Sequence, residues 1–290
     1  MVIFRKLTRY SLALVVALFL SHQAFILSGL WAPYEKGSSL KPAKIEVPSF
    51  SRWLSNAVSF DFGHSNNGQN PVAKGVLQRL GSTLLVTTLA LLIALGFAFP
   101  LASISAWMEQ NKWNKTGKSL GIFAFSTMAI PSFIVALLTK EWINNLPHYG
   151  TRKFIFGSLC IALPLFALWF VHIKAKLSQV FASDFVLYSR LRGVSEVKIF
   201  WETVLPNALT PLITLAAYIP VSLIEGAVIV EKIFDINGLG SYAINSFIEK
   251  DYHAVMFSVL LSGILLIVGL LLSDIAHQFF FKEIKEGENT

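Results

Sequence analysis

The chain has 290 residues, of which 54% are hydrophobic and only 14% are charged. A water-soluble domain rarely sustains such a composition, so a soluble enzyme or a soluble binding module is excluded. The formal net charge of +7 fits basic residues that flank apolar helices beside anionic lipid, and it does not indicate nucleic acid binding.

Long stretches of the chain contain no charged residue. Each stretch holds about 20 residues or more, which is the length a helix needs to cross the hydrocarbon core of a bilayer. We therefore predict an all-α membrane protein with six transmembrane helices. The charge-free windows are Tyr10–Tyr34, Leu80–Met108, Ser119–Thr139, Phe154–Ile173, Thr203–Ile224 and Tyr252–Ser273.

The first predicted span occupies residues 1–30. Arg5, Lys6 and Arg9 precede its apolar run, which favours a cytoplasmic N-terminus, and alternation of the spans then places the C-terminus inside as well. A cleaved signal peptide is the alternative. No A-x-A site follows Leu20 and the apolar run is long, so an uncleaved anchor is favoured.

Residues 31–78 form the predicted extracytoplasmic segment. From Pro48, aromatic residues recur at helical spacing, at Phe50 and Trp53 and later at Phe60. This pattern predicts a short helix on the membrane surface. A cap over the outer mouth of the protein is the alternative.

Several motifs that suggest chemistry fail on closer reading. The sequence TGKS at 116–119 resembles the end of a phosphate-binding loop, but that motif needs glycine at position 112, where this chain has Lys112. Cys160 is the only cysteine, which excludes an intrachain disulfide. The six histidines are dispersed without metal-ligand spacing. The sequence predicts neither a metal site nor an ATPase site.

A polar, helix-prone insert lies between the fourth and fifth windows, at residues 183–206. Ser183 and Ser195 are suited to begin two short helices, and Gly193 is suited to end the first of them. The insert ends at Leu205 and Pro206, where the next apolar run begins. Such an arrangement predicts a docking element on the inner face of the membrane.

A series of short motifs follows the insert in a fixed order. These motifs are Arg190 and Gly193, Leu205-Pro206-Asn207-Ala208, Val230-Glu231 with Phe234, Gly238-Leu239-Gly240, and Asp251-Tyr252. In this order and spacing the chain resembles the membrane subunits of binding-protein-dependent ABC importers, in their dipeptide, oligopeptide and nickel branch. Weaker matches to the branch are DFG at 61–63, RLGSTL at 79–84 and AIPSFIVALL at 129–138, and the family's Glu-Ala-Ala element is replaced here by Leu187-Tyr188-Ser189.

The resemblance implies a type I ABC importer permease fold, with a permease core at 79–278 and a cytoplasmic tail at 279–290. The helix at 184–192 is then a coupling helix seated in a cytoplasmic ATPase. Residues 183–206 are the coupling segment. Its implied coupling residues are Asp184, Phe185, Tyr188, Arg190, Leu191, Arg192, Gly193, Leu205 and Pro206.

A second set is implied at the external gate or on the side of the binding protein. It comprises Glu231, Phe234, Gly238, Leu239, Gly240, Asp251 and Tyr252.

The implied partners are a second permease subunit, two cytoplasmic ABC ATPases, an extracytoplasmic solute-binding protein and the bilayer of a bacterial inner membrane. No cofactor is implied for this chain, because the partner subunits use the ATP. Peptides are the expected cargo, and nickel or another small solute is the alternative. A stand-alone secondary transporter is less well supported, because the sequence lacks paired midplane charges and inverted repeats. An integral membrane enzyme would need a cluster of reactive side chains that the sequence does not supply.

Overall fold

The computed structural model describes residues 2–30, 47–65, 71–110, 113–144, 149–208 and 227–287. Almost all of the regular structure in these ranges is helical, and His64 and Pro71 form an isolated antiparallel bridge. Residues 205–208 and 227–233 are also helical, and Phe200–Val204 is a π-helical turn. The helices are α1 (Val2–Leu30), α2 (Phe50–Val58), α3 (Val72–Gln110), α4 (Asn114–Thr127), α5 (Ser132–Ile143), α6 (Tyr149–Phe181), α7 (Asp184–Leu191), α8 (Glu196–Ile199), α9 (Leu239–Ile248) and α10 (Tyr252–Gly287).

Four of the described helices contain stretches long and apolar enough to cross a membrane. A helix satisfies its backbone polar groups internally, which is what hydrocarbon requires. The fifth predicted window, 203–224, falls largely in residues 209–226, outside the described part of the chain. The stretches are Lys6–Leu27, Val72–Gln110, Gly150–Phe181 and Tyr252–Leu272.

The third predicted window, Ser119–Thr139, is not one continuous helix. Its two halves, Lys115–Thr127 and Ser132–Ile143, meet at a bend of 79°. Pro131 explains the break, because proline has no N–H group to donate and disfavours helical backbone at the residue before it. Pro100 and Pro164 lie inside α3 and α6, which continue past them.

The backbone divides into two compact units. The first comprises Met1–Thr83 and Asn237–Ile267. Its core has two clusters, one around Leu18, Trp53 and Tyr252 and the other around Val76 and Leu239.

The helix predicted from Pro48 is present as α2, in the first unit. Trp53 is buried, and Phe50 and Leu54 pack against the same cluster, so the apolar face of α2 is covered by protein. Phe60 lies beyond the helix and is exposed. The placement of α2 on the membrane surface, or as a cap over the outer mouth of the protein, stays a prediction.

The second unit comprises Leu84–Ile236 and Val268–Thr290. Within it, α6 packs against both α4 and α5. Between residues 90 and 106 of α3, alanine recurs at every fourth residue, and these five alanines are buried, which forms a stripe of small side chains along one helical face. Small residues let helices approach closely where the bilayer gives little hydrophobic drive for association. The stripe consists of Ala90, Ala94, Ala98, Ala102 and Ala106.

Candidate functional site

The coupling segment begins with α7, immediately after α6. The backbone N–H groups of Val186 and Leu187 both donate to the carbonyl of Ser183, at 3.2 Å. The hydroxyl of Ser183 donates to the carbonyl of Val180 and does not cap the helix. Ser183 therefore begins α7, as predicted. Its backbone carbonyl accepts the first hydrogen bonds of the helix, and its side-chain hydroxyl does not cap it.

Gly193 ends α7 as the sequence predicts. Its φ angle is +77°, in the left-handed region that favours glycine. The N–H of Gly193 donates to the carbonyl of Arg190 at 2.9 Å, and the N–H of Val194 donates to that of Ser189 at 3.2 Å. These two bonds form a Schellman motif, which satisfies carbonyls at the helix end and reverses the chain into α8.

The two faces of α7 have different environments. Val186 is fully buried in a cluster that includes Phe181, Ile199 and Val204. The opposite surface carries three apolar side chains that are 45%, 66% and 75% exposed. We call this surface the α7 apolar stripe; it consists of Phe185, Tyr188 and Leu191.

The charged coupling residues separate into paired and exposed groups. Arg190 donates to both carboxylate oxygens of Glu196, from Nε at 2.8 Å and from a terminal nitrogen at 3.1 Å. Asp184 and Arg192 are exposed at the two ends of α7. Arg190 is one of the coupling residues that the resemblance implies, and its guanidinium joins α7 to α8 across the Gly193 turn.

The last two coupling residues follow the π-helical turn. Leu205 is half-buried and Pro206 is exposed, within the helical residues 205–208. The side-chain amide of Asn207 donates to the carbonyl of Thr203 at 2.7 Å. A π-helical turn is rare and occurs frequently at functional sites.

Two residues of the predicted external set, Glu231 and Phe234, belong to the second unit and are buried. The segment turns at Asp235, whose φ is 52°, and the N–H of Ile236 donates to the carbonyl of Glu231 at 2.9 Å. The carboxylate of Asp235 pairs with Lys140 at 2.8 Å.

The other external residues belong to the first unit and are also buried. Gly238 and Gly240 flank Leu239, whose N–H donates to the hydroxyl of Thr83 at 2.7 Å. The Gly238 N–H donates to the hydroxyl of Ser241 at 3.2 Å, and that hydroxyl donates back to the Gly238 carbonyl. The turn that begins α9 is thus held by buried hydrogen bonds.

Asp251 and Tyr252 begin α10. One carboxylate oxygen of Asp251 accepts from the hydroxyl of Ser65 and the other from the N–H of Ala254 at 3.2 Å. The Tyr252 hydroxyl lies 2.8 Å from Nδ1 of His22. Both residues hold the fold of the first unit, and their contact with a binding protein stays a prediction.

A polar cleft of 460 Å³ in the first unit escaped the sequence reasoning. The Arg79 guanidinium lies 4.2 Å from the centre of the Tyr242 ring and donates to the Gly75 carbonyl at 2.6 Å. Burial, followed by the negative charge of Asp251, raises the pKa of Tyr242, so its phenol stays neutral. Within the described residues, no three His, Cys, Asp or Glu side chains are placed to hold a metal ion. The remaining cleft residues are Ser65, Pro71, Lys74, Gln78, Asn245, Ser246 and Glu249.

Gly117 of the TGKS sequence lies where α4 meets α3. A Cβ atom at this position would lie 2.8 Å from the backbone oxygen of Ser105, so only glycine fits. The Gly117 carbonyl accepts from the Ser105 hydroxyl at 2.8 Å and from Lys174 at 3.3 Å. Lys174 also pairs with Glu109 at 2.6 Å, and both side chains are largely buried. The glycine is explained by helix packing.

Comparison with known proteins matches residues 98–286 to the family of binding-protein-dependent transport system inner membrane components. The chain is 28% identical over 246 residues to the oligopeptide transport system permease protein AppB of Bacillus subtilis strain 168, covering 79% of this chain and 77% of that protein. It is 26% identical over 226 residues to the nickel import system permease protein NikB of Staphylococcus aureus strain USA300, covering 77% of this chain and 68% of that protein.

The family that the motifs predict is confirmed. Members of this family are the membrane components of the transporter, which agrees with the packing role of Gly117 in the TGKS sequence. The chain belongs to the binding-protein-dependent transport system inner membrane component family, as a multi-pass permease of an ABC transporter that is not itself the ATPase.

Proposed function

We propose that this chain is a permease subunit of a type I ABC importer for dipeptides and oligopeptides. An external binding protein delivers the peptide, and the path runs between this chain and a second, different permease subunit. Two cytoplasmic ATPases supply the energy through α7. Membership of the family supports ATPase and binding-protein partners in general. The peptide cargo and the pairing with a different permease subunit are part of our proposal.

The α7 apolar stripe is the observation that carries the proposal. Exposed, contiguous apolar side chains on a short polar insert mark a surface that a protein partner covers. The stripe follows directly after the span in α6, with basic side chains nearby, which favours the cytoplasmic side.

The packing of α7 supports a rigid mechanical connection. Val186 is seated in the same cluster as Phe181 of α6 and Ile199 of α8, so a displacement of α7 shifts both neighbours with it. Close-packed side chains transmit strain because few voids remain to absorb it. Closure of the two ATPases around ATP then moves α7, and the connected helices carry the movement toward the gate.

In this mechanism the buried external residues fix the shape of the outer ends. Leu239 and Asp251 are each held by hydrogen bonds to residues distant in sequence, Thr83 and Ser65. Rigid outer turns present a defined surface to a binding protein, whose contacts are then made by the exposed residues around them.

The proposal is tested with the transporter reconstituted in proteoliposomes. A photoreactive amino acid at Tyr188 is expected to cross-link to an ATPase subunit. The same amino acid at Val58, which is 74% exposed at the end of α2, is expected not to. Absence of any ATPase cross-link from the whole stripe, in an assembled complex, contradicts the docking role.

The cargo is tested in the same vesicles with radiolabelled tripeptide and with Ni²⁺. ATP-dependent uptake of the peptide and not of nickel is the expected result. Nickel uptake alone would assign the chain to the alternative, for which the similarity to NikB is the supporting observation. Uptake without any ATPase would favour the stand-alone secondary transporter.

A further inference from the structure

Within the described part of the chain, the break between α4 and α5 leaves three backbone carbonyl groups without hydrogen-bond partners. The N–H groups of residues 128–130 donate to the carbonyls of residues 125–127 at 3.0 to 3.3 Å, which satisfies the end of α4. Ile134 and Val135 donate to the carbonyl of Pro131. Among the described residues, no donor reaches the carbonyls of Met128, Ala129 and Ile130.

The break lies near the middle of a membrane window. The charge-free window Ser119–Thr139 extends by similar lengths on either side of residues 128–131. All four residues are exposed, Met128 to 48%. Ala129 has the smallest side chain of the four, so its side chain shields the neighbouring backbone least.

Lipid cannot satisfy these carbonyls. Hydrocarbon offers no hydrogen-bond donor, so irregular backbone at membrane depth is tolerated only within protein or beside water. Cover by protein, from a neighbouring subunit or from another segment of this chain, would require three donors in the middle of a membrane span. A water-filled path supplies donors without that requirement.

From this geometry we infer that the 128–131 break lines the aqueous translocation path and offers its three carbonyls to N–H donors of the passing solute. The inference rests on the proposed function in naming peptides as that solute. A peptide presents backbone N–H groups whatever its side chains, so carbonyl acceptors bind it without selecting a sequence. Exchange of these bonds with water keeps the binding weak enough for passage.

The experiment uses the reconstituted transporter with Cys160 replaced by serine, so that each variant carries one cysteine. Ala129→Cys and Met128→Cys test the break. Leu92→Cys is the matched control, because Leu92 is 63% exposed near the middle of the Leu80–Met108 window. A charged, membrane-impermeant methanethiosulfonate reagent is added without ATP and again with ATP and vanadate.

Labelling of Ala129→Cys and Met128→Cys is expected to be about tenfold faster or more than that of Leu92→Cys, because apolar surroundings suppress the reactive thiolate. Excess peptide is expected to slow labelling at the break, and labelling there is expected to block uptake. Labelling no faster than at Leu92→Cys in either state, in vesicles that import peptide, overturns the inference. Fast labelling in vesicles that import no peptide supports the aqueous position of the break and contradicts the proposed cargo.

Discussion

The guanidinium of Arg190 holds both carboxylate oxygens of Glu196, at 2.8 and 3.1 Å, across the turn that Gly193 makes. The pair lies at the end of α7 and the start of α8, where the helix dipoles favour a cation and an anion, respectively. A bidentate arginine pair fixes direction as well as distance. The ion pair therefore fixes the angle between α7 and α8.

Removal of either member of this pair is expected to weaken coupling. Arg190→Ala and Glu196→Ala should each lower peptide uptake per ATP hydrolysed, through loss of an ion pair worth about 1 kcal/mol or less in a half-exposed position. The double variant should be no worse than either single one, because both remove the same interaction. Losses that add fully in the double variant would show that the two residues act independently.

Substitution of Gly193 is expected to separate ATP hydrolysis from uptake. Nothing lies within 4 Å of a Cβ built at this residue, so the penalty comes from its positive φ angle, at roughly 1–2 kcal/mol for most side chains. Gly193→Trp should insert normally, hydrolyse ATP and import little peptide. Gly193→Asn is the control, since asparagine tolerates this backbone conformation. A normal ratio of uptake to hydrolysis in Gly193→Trp, at normal abundance, argues against the role of the turn.

Gly117→Ala is expected to destabilise the permease by about 1–3 kcal/mol, because the new methyl group would push α4 away from the backbone of α3. Gly96→Ala is the matched control, since nothing lies within 4 Å of its Cβ and alanine is the better helix former. The measurement is the melting temperature of the purified protein in detergent. Equal melting temperatures for the two variants would refute the close approach at Gly117.

Lys174→Met is expected to lower the free energy of unfolding by about 1–3 kcal/mol, because it leaves the largely buried carboxylate of Glu109 without its cation. The double variant Lys174→Met with Glu109→Leu should recover much of that loss, since no charge then remains to be solvated. Thermal unfolding of the three proteins gives the comparison. A double variant less stable than Lys174→Met alone would contradict the explanation.

Thr83→Val is expected to lower stability by about 1–3 kcal/mol, because the buried N–H of Leu239 loses its acceptor. Thr83→Ser keeps the hydroxyl and should behave nearly as the native protein. Unfolding in detergent and peptide uptake are both measured. The bond at Leu239 would be unimportant if valine and serine gave the same result.

Much of the fold follows from local pattern. The charge-free windows predict the long helices because a bilayer admits few other structures, and Gly193 predicts the end of α7 because its conformation is a local property. Pro131 explains where the third window breaks, but Pro100 and Pro164 lie inside continuous helices, so the 79° bend depends on what packs around both halves.

The tertiary contacts between distant parts of the chain could not be predicted from the sequence. Thr83 and Leu239 are 156 residues apart, and the position of Gly117 against α3 depends on which helical faces meet. Glu196 lies six residues after Arg190 in the sequence. Only the geometry of the Gly193 turn shows that the guanidinium of Arg190 pairs with this carboxylate within the chain. The four-residue repeat of alanine in α3 is visible in the sequence as a signal for close helix packing, although it does not tell which helix packs there.

That repeat has a thermodynamic consequence. Alanine has no side-chain torsion to immobilise, so association along this seam of α3, from Ala90 to Ala106, proceeds without the rotamer entropy loss that leucine or methionine would incur. The same seam has no flexible side chain that can move aside, so steric tolerance there is minimal. Helix packing along the seam is thereby favoured by residues of small volume, and a larger side chain at any of these buried positions would have to displace its neighbours.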